Sequence, residues 1–475
     1  MESKLLRPLS QAVALALAAG GAHAASITVT DGGDAGTATT CTLRQAIQSA
    51  NTDSASGSAC TPGSGADTIT FAASLANSTI TLAYGQLSID SNVTISGSGQ
   101  TLDAGGQSRV MAINNYANTV ASVTISDLTL TNGSYTPPGA GLAIGGGGLG
   151  APTSRPQRTS ALAPAATGPN VTLDRIVISN NTSNVQAGGL FISNATVAIN
   201  ESTISGNTLN ASANYGAGGI YITGNSSVTI TDSTISGNRA SGNFNELDGG
   251  IYVYLSNVSL TNSTITGNSA SGRNELAGAL SLDNGGVAIY DSTVTGNSAN
   301  GANVVSGGVL LGAFGNPSPL NVTNSILTGN TAIGNPGSRA DFINFNGSNV
   351  IAQSNLLGTA MSGLYSGSGN VFSDAPGLGT LANNGGPTLT MKPQPGSPTL
   401  GAGNIALIPG GVTTDQRGAG YARVVNGSLD LGSVEAAAAP AAPAAQAVPA
   451  LSRWAMLALG GLLGLFGLRK RRRSG

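Results

Sequence analysis

Short runs in which apolar and polar residues alternate recur along most of this chain. In "SVTITDSTISGN", Ser227 to Asn238, the apolar residues Val228 and Ile230 are separated by Thr229, and Ile235 follows a polar turn. Period two over so few residues marks short strands rather than helices. The same phrase returns as "VTLDRIVISNN", "VAINESTISGN", "VSLTNSTITGN", "VAIYDSTVTGN" and "NVTNSILTGN". The copies end at Asn181, Asn207, Asn238, Asn268, Asn297 and Asn330, spaced by 26, 31, 30, 29 and 33 residues. A second phrase keeps step between them: "GGLFIS", "GGIYIT", "GGIYVY", "GALSLD" and "GGVLLG", starting at Gly188, Gly218, Gly249, Gly278 and Gly307.

A period of this length signals units that bury their apolar faces only by stacking. Each unit supplies two or three strands, too few for a four-stranded propeller blade. One unit per coil, with like strands paired from coil to coil, gives a parallel β-helix. Weaker alternation on both sides extends it over residues 67–373, about ten coils. Ile178, Ile204, Ile235, Ile265, Val294 and Leu327 are expected to stack inside. The six asparagines are expected to form a ladder at a bend, where Asn tolerates left-handed backbone angles and its amide reaches the next coil. The glycine pairs mark a second bend that needs positive φ or close backbone approach. Residues 136–170 are too rich in Pro and Ala for a coil and are read as an inserted loop.

A β-helix exposes strand edges at its ends and needs caps. Residues 25–66 contain "CTLRQAIQSAN", an amphipathic helix with a Thr42/Gln45 capping box. The only two cysteines of the chain, Cys41 and Cys60, are expected to pair there. Such a disulfide is worth about 3 kcal/mol in the chain-entropy model. Residues 374–435 are expected to cap the other end.

The termini carry address signals. Residues 1–24 have a basic start, an apolar stretch and a small-residue cleavage site, the pattern of a secretory signal peptide. The sole histidine, His23, leaves with it. An Ala/Pro linker, 436–450, leads to an apolar segment, 451–475, that is long enough to span a bilayer and ends in five cations. Its start, "VPALSRW" with Val448, Pro449, Leu451 and Trp454, resembles the IPTL type of C-terminal sorting signal of Gram-negative bacteria, with Val448 and Ala450 in place of Ile and Thr. That resemblance implies processing by an exosortase-type membrane enzyme and an exported, surface-held product. The outer blocks "ITVTDGGDAGTATTCTLRQAIQSAN" and "DAPGLGTLANNGGPTLTMKPQPGSPTLGAGN" resemble bacterial surface proteins of the choice-of-anchor Q and polymorphic outer membrane protein repeat group. This implies a right-handed parallel β-helix with an adhesive or envelope role and no catalytic site to carry over.

Composition narrows the chemistry. Without its leader and tail the body has 11 basic and 20 acidic residues, a net charge of −9. It offers no basic stripe for a nucleic-acid backbone. Loss of His23 removes imidazole chemistry, and no cofactor or metal set is evident; "DGGDAG", Asp31 to Gly36, lacks the spacing of a calcium loop. Glu201, Asp232 and Asp291, with Asn262 and Asn324, fill one repeat column and read as solvated turn residues. Phe191, Tyr221 and Tyr252 fill another, between inward aliphatics. With Tyr254 and Asp283 nearby, they are expected to present an outward aromatic strip on which a sugar could stack. The leading expectation is therefore a nonenzymatic surface β-helix that binds a glycan or a host or envelope ligand. The alternatives are a polysaccharide-degrading lyase or hydrolase with an acidic site, and a structural envelope spacer.

Overall fold

Strands of three to five residues cannot hold themselves together, and among the described residues those inside the stack are paired on both flanks by their counterparts in the preceding and following coils. The computed structural model describes residues 24–436 apart from 116–120, 136–137, 147–167, 213–214, 244–245, 313–317, 346 and 362–364. The leader up to residue 23, and the chain beyond 436 with Val448, Pro449, Leu451 and Trp454, lie outside the described residues. What is described is a parallel β-solenoid. Its longest sheet runs in register from Ser26–Val29 through Asp67–Phe71, Ser227–Thr231, Asn257–Thr261 and Gly286–Tyr290 to Val350–Gln353. A nine-stranded sheet faces it across the lumen.

Alternation decides what lies inside. Val228, Ile230, Ile235, Ile220 and Ile222 are all buried in one continuous aliphatic core, with Ile178, Ile204, Ile265, Val294 and Leu327 in the same stack. The helix Leu43–Thr52 closes the N-terminal end. Thr42 and Gln45 form its capping box, and Leu43, Ala46, Ile47 and Ala50 turn into the lumen. Cys41 and Cys60 are joined by a disulfide. Within "DGGDAG", Asp34 is committed to structure: it pairs with Arg44 at 2.7 Å and accepts hydrogen bonds from Ala83 and Tyr84 N–H.

The repeated phrase is explained atom by atom at the bends. Asn238 Nδ2 donates to Asn268 Oδ1 at 2.9 Å and to the Ile204 carbonyl at 2.9 Å. The amides of Asn181, Asn207, Asn268 and Asn297 make the same 2.9 Å step to the next coil. The left-handed residue is not the ladder asparagine but the one before it: Gly206, Gly237, Gly267, Gly296 and Gly329, or Asn180 in the first of these coils. That frees each asparagine to keep its amide in line. The serine of the phrase makes a second column, Ser202 N–H to Ser233 Oγ at 3.0 Å, Ser233 to Ser263 at 3.2 Å, Ser263 to Ser292 at 3.0 Å. The glycine pair answers to space rather than φ, since a Cβ on Gly219 would lie 2.5 Å from the Gly250 carbonyl oxygen.

Two boundaries differ from the sequence reading. The span 136–170 is not all loop: Leu142–Gly146 is a strand paired between Met111–Asn115 and Leu190–Ser193, because Leu142 and Ile144 fit the lumen. Residues 374–436 do not sit across the end of the stack. They run back along its flank and cover the outward column Thr234, Thr264, Thr293, Ile326 and Leu356. The column turns apolar at Ile326 and Leu356, and Leu431 with Leu378 and Ala402 buries it there.

The facing is testable by charge insertion. Ile235→Asp buries a carboxylate in the aliphatic stack and is expected to cost on the order of several kcal/mol. Thr229→Asp, on the exposed face, is expected to cost far less. Thermal melts of the two variants check this, and equal losses would contradict the assignment.

Candidate functional site

Phe191, Tyr221 and Tyr252 do point away from the lumen, in register on Leu190–Ser193, Ile220–Thr223 and Ile251–Tyr254. They are nonetheless only 3%, 4% and 1% exposed. The physical reason is a lateral excursion in each coil. After the asparagine bend the chain runs out along a seven-stranded sheet and returns along a five-stranded one before the glycine pair. Leu247, Leu276 and Val305 of the returning sheet form a side core with Leu209 and Ala240. Its other face, with Ala187 and Ala217, lies over the aromatic column. The rings stack inside this second layer, Phe191 on Tyr221 at 5.7 Å and Tyr221 on Tyr252 at 5.0 Å between centroids. The expected sugar platform is thus interior, and Tyr254 and Asp283 are buried with it.

Sequence inspection missed two carboxylates of this layer, Glu246 and Asp248, both buried. The Tyr252 hydroxyl donates to Glu246 Oε2 at 2.7 Å and lies 3.4 Å from Asp283 Oδ2. Asp248 accepts from Ser281 Oγ and from Ala277 N–H. Burial raises the Asp248 carboxyl well above the usual range, and burial with the Glu246 and Asp283 charges does the same to the Tyr252 phenol. Tyr252 and Ser281 stand on one sheet and Glu246 and Asp248 on another, so the cluster ties two sheets together out of reach of a polymer.

The acidic repeat column has a similar fate. Asp232, Asn262, Asp291 and Asn324 are left-handed turn residues, but the returning C-terminal segment covers them. Gln416 Nε2 donates to Thr234 Oγ1 at 2.8 Å and its Oε1 accepts from Thr264 Oγ1 at 2.6 Å. Asn262 Nδ2 donates to the Thr414 carbonyl at 2.8 Å. Arg423, fully buried, pairs with Glu435 at 3.0 Å and stands 3.9 Å from Asp291 Oδ1. Arg417 pairs with Asp415 at 2.6 Å and lies over the Tyr421 ring. Burial pushes Asp291 up to about 6 against the pull of Arg423, Asp232 up to about 7, and Glu435 up to about 8. Glu201 escapes the cover and pairs loosely with Arg175 at 3.8 Å. Among the described residues no group of three or more His, Cys, Asp or Glu side chains could hold a metal ion.

One surface stays open. The outer face of the long sheet carries Ser227, Thr229 and Thr231, then Asn257, Ser259 and Thr261, then Gly286, Ala288 and Tyr290, and beside them Pro319, Asn321 and Thr323. The third rung is short of side chains, and a hollow of about 270 Å³ lies over it. A Cβ on Gly286 would meet Asn257 Oδ1 at 3.0 Å and Pro319 Cγ at 4.0 Å. A side chain at Gly286 would therefore crowd the Asn257 amide, which the glycine leaves in place beside Pro319. Hydroxyls and amides line this hollow together with apolar groups such as Ala288 and Pro319, and no charged side chain does.

Two outcomes follow. Tyr221→Ala with Tyr252→Ala empties part of a packed layer and is expected to destabilise by roughly 3 kcal/mol or more, seen as a lowered denaturation midpoint; an unchanged midpoint would place the rings on the surface. The raised carboxyls bind protons more tightly folded than unfolded. Their contribution to stability is full below about pH 4 and is lost as pH climbs through 6 to 8. Melting temperature is expected to fall from pH 5 to pH 9, and to fall less in Asp291→Asn.

The chain is similar to the solved crystal structure of pectate lyase Pel9A, with a TM-score of 0.42 and 11% identity over 88% of this chain and 97% of that one. A likeness of that size says nothing about chemistry. No curated protein sequence matches the chain. The IPTL-CTERM motif matches residues 446–473, so the solenoid is followed by a C-terminal sorting signal.

Proposed function

We propose that this chain is an exported, surface-retained β-solenoid that holds a glycan or another envelope or host ligand without turning it over. The observation that carries the reading is the open hollow on the long sheet, lined by Ser227, Thr229, Asn257, Ser259 and Asn321. Groups that form hydrogen bonds and need no charged partner suit a hydroxyl-rich ligand. The sorting motif at 446–473 supports retention at the cell envelope. In this reading an exosortase-type enzyme processes the tail near Val448, Pro449, Leu451 and Trp454, and the solenoid is presented outside the cell as an adhesin-like surface.

The buried carboxyl clusters support binding over turnover. A glycosidase needs two carboxyls flanking a bond of the bound polymer. Glu246, Asp248, Asp283 and Asp291 are each 3% exposed or less. The protein incubated with a panel of polysaccharides is expected to retain at least one and to release neither reducing ends nor unsaturated uronide. Release of either product would replace the binding reading with a degrading enzyme. Neither retention nor product would leave an envelope spacer.

A further inference from the structure

The proposed binding role leaves the ligand class open, and the hollow narrows it. Outward positions on four consecutive rungs are Ser227, Thr229, Thr231; Asn257, Ser259, Thr261; Gly286, Ala288, Tyr290; and Pro319, Asn321, Thr323. None is charged, in a body whose net charge is −9. A polyuronide or a phosphate-bearing polymer would find no cation on this face, and the surrounding field repels it. A peptide gains little here, because addition as a strand needs an open sheet edge and these strands are all paired on both sides.

A neutral sugar chain needs what the face supplies. Asn257 and Asn321 offer both donors and acceptors, and Thr229 and Ser259 offer hydroxyls. Tyr290 is the next outward position after Gly286 and Ala288 on the same strand and is half-buried, which puts an aromatic residue next in line after the hollow's lining. Stacking of a sugar ring on an aromatic face adds an apolar contact that a flat polar sheet lacks. At strand spacing of about 4.8 Å the four rungs span roughly 14 Å, room for a short run of sugar rings. We infer that the hollow over Gly286 and Ala288, with Tyr290 next in line on the same strand, is a subsite for a neutral glycan lying on the long sheet. This rests on the ligand-binding reading above.

The test is affinity electrophoresis of the full chain in detergent through gels containing arabinoxylan, galactomannan or hydroxyethyl cellulose, with polygalacturonate as the acidic counterpart. At least one neutral polymer is expected to retard the protein, and polygalacturonate is not. Gly286→Gln fills the hollow and pushes the Asn257 amide aside, and Tyr290→Ala removes the ring. Each is expected to weaken retention about tenfold, the scale of a lost stacking contact or a blocked subsite, at an unchanged melting temperature. Should Tyr290→Ala unfold the protein, Gly286→Gln alone decides. Neutral retention that survives both variants would put binding elsewhere and overturn the subsite while leaving the broader function standing. Polygalacturonate retention that Gly286→Gln abolishes would overturn the neutral selectivity, and no retention of any polymer by the unaltered chain would remove the binding role itself.

Discussion

Everything in this molecule depends on one constraint: each coil must meet the next in strict register, atom over like atom. Parallel pairing supplies backbone hydrogen bonds but tolerates slippage wherever side chains are alike. The asparagine column removes that freedom. Amide-to-amide donation runs in one direction only, from Asn181 toward Asn330, while the same nitrogen also donates back to a carbonyl of the preceding coil, so a coil shifted by one residue loses both its bond up and its bond down. A directional ladder also needs an end that accepts without having to donate onward. Asp341 supplies it, taking both the backbone N–H and the side-chain amide of Asn330 on Oδ1, at 3.0 and 2.9 Å. At the other end Asn181 Oδ1 accepts from Gly133 N–H at 2.7 Å.

Register explains which parts could be read from sequence. The lumen was legible because Val228, Ile230 and Ile235 recur at fixed offsets, and strict stacking turns such recurrence into contact. The direction of Phe191, Tyr221 and Tyr252 was legible for the same reason, but their environment was not. The strands that cover them, such as Gln186–Ala187 and Glu246–Asp248, have two or three residues and no period to detect. "ELDGG" at 246–250 did hold a usable signal, two acids directly before a glycine pair that brings backbones together. Asp232 and Asp291 looked solvated because their cover comes from Thr388, Gln416 and Arg423, well over a hundred residues downstream for Asp291 and in a segment with almost no regular strand.

The polar interior also differs in kind from the polar exterior. Inside, Tyr252 with Glu246 and Ser281 with Asp248 join separate sheets, while Arg423 pairs with Glu435 within the C-terminal segment and faces Asp291 of the coils. Their worth lies as much in fixing one arrangement as in net stability, since desolvation offsets much of the attraction. Outside, the long sheet is left with short neutral side chains in rows. A scaffold whose internal bonds are used up by its own repetition has its outward columns as its adaptable part, and Gly286 and Ala288 alter that surface without touching the stack.

The course of the C-terminal segment has a mechanical consequence. The last described residues leave the body beside Thr234 and Thr264, where Ser433 and Gln416 meet the coils and Glu435 N–H bonds to Asp415. Tension applied to the chain beyond Ala436 therefore enters through the side of the stack. An end-attached solenoid would unzip one coil at a time, each step breaking only the bonds of a single rung. Here the force first reaches Arg417, Arg423 and Gln416 and is shared among coils that have neighbours on both sides. The protein therefore resists traction as a laced seam does, by loading many short links at once.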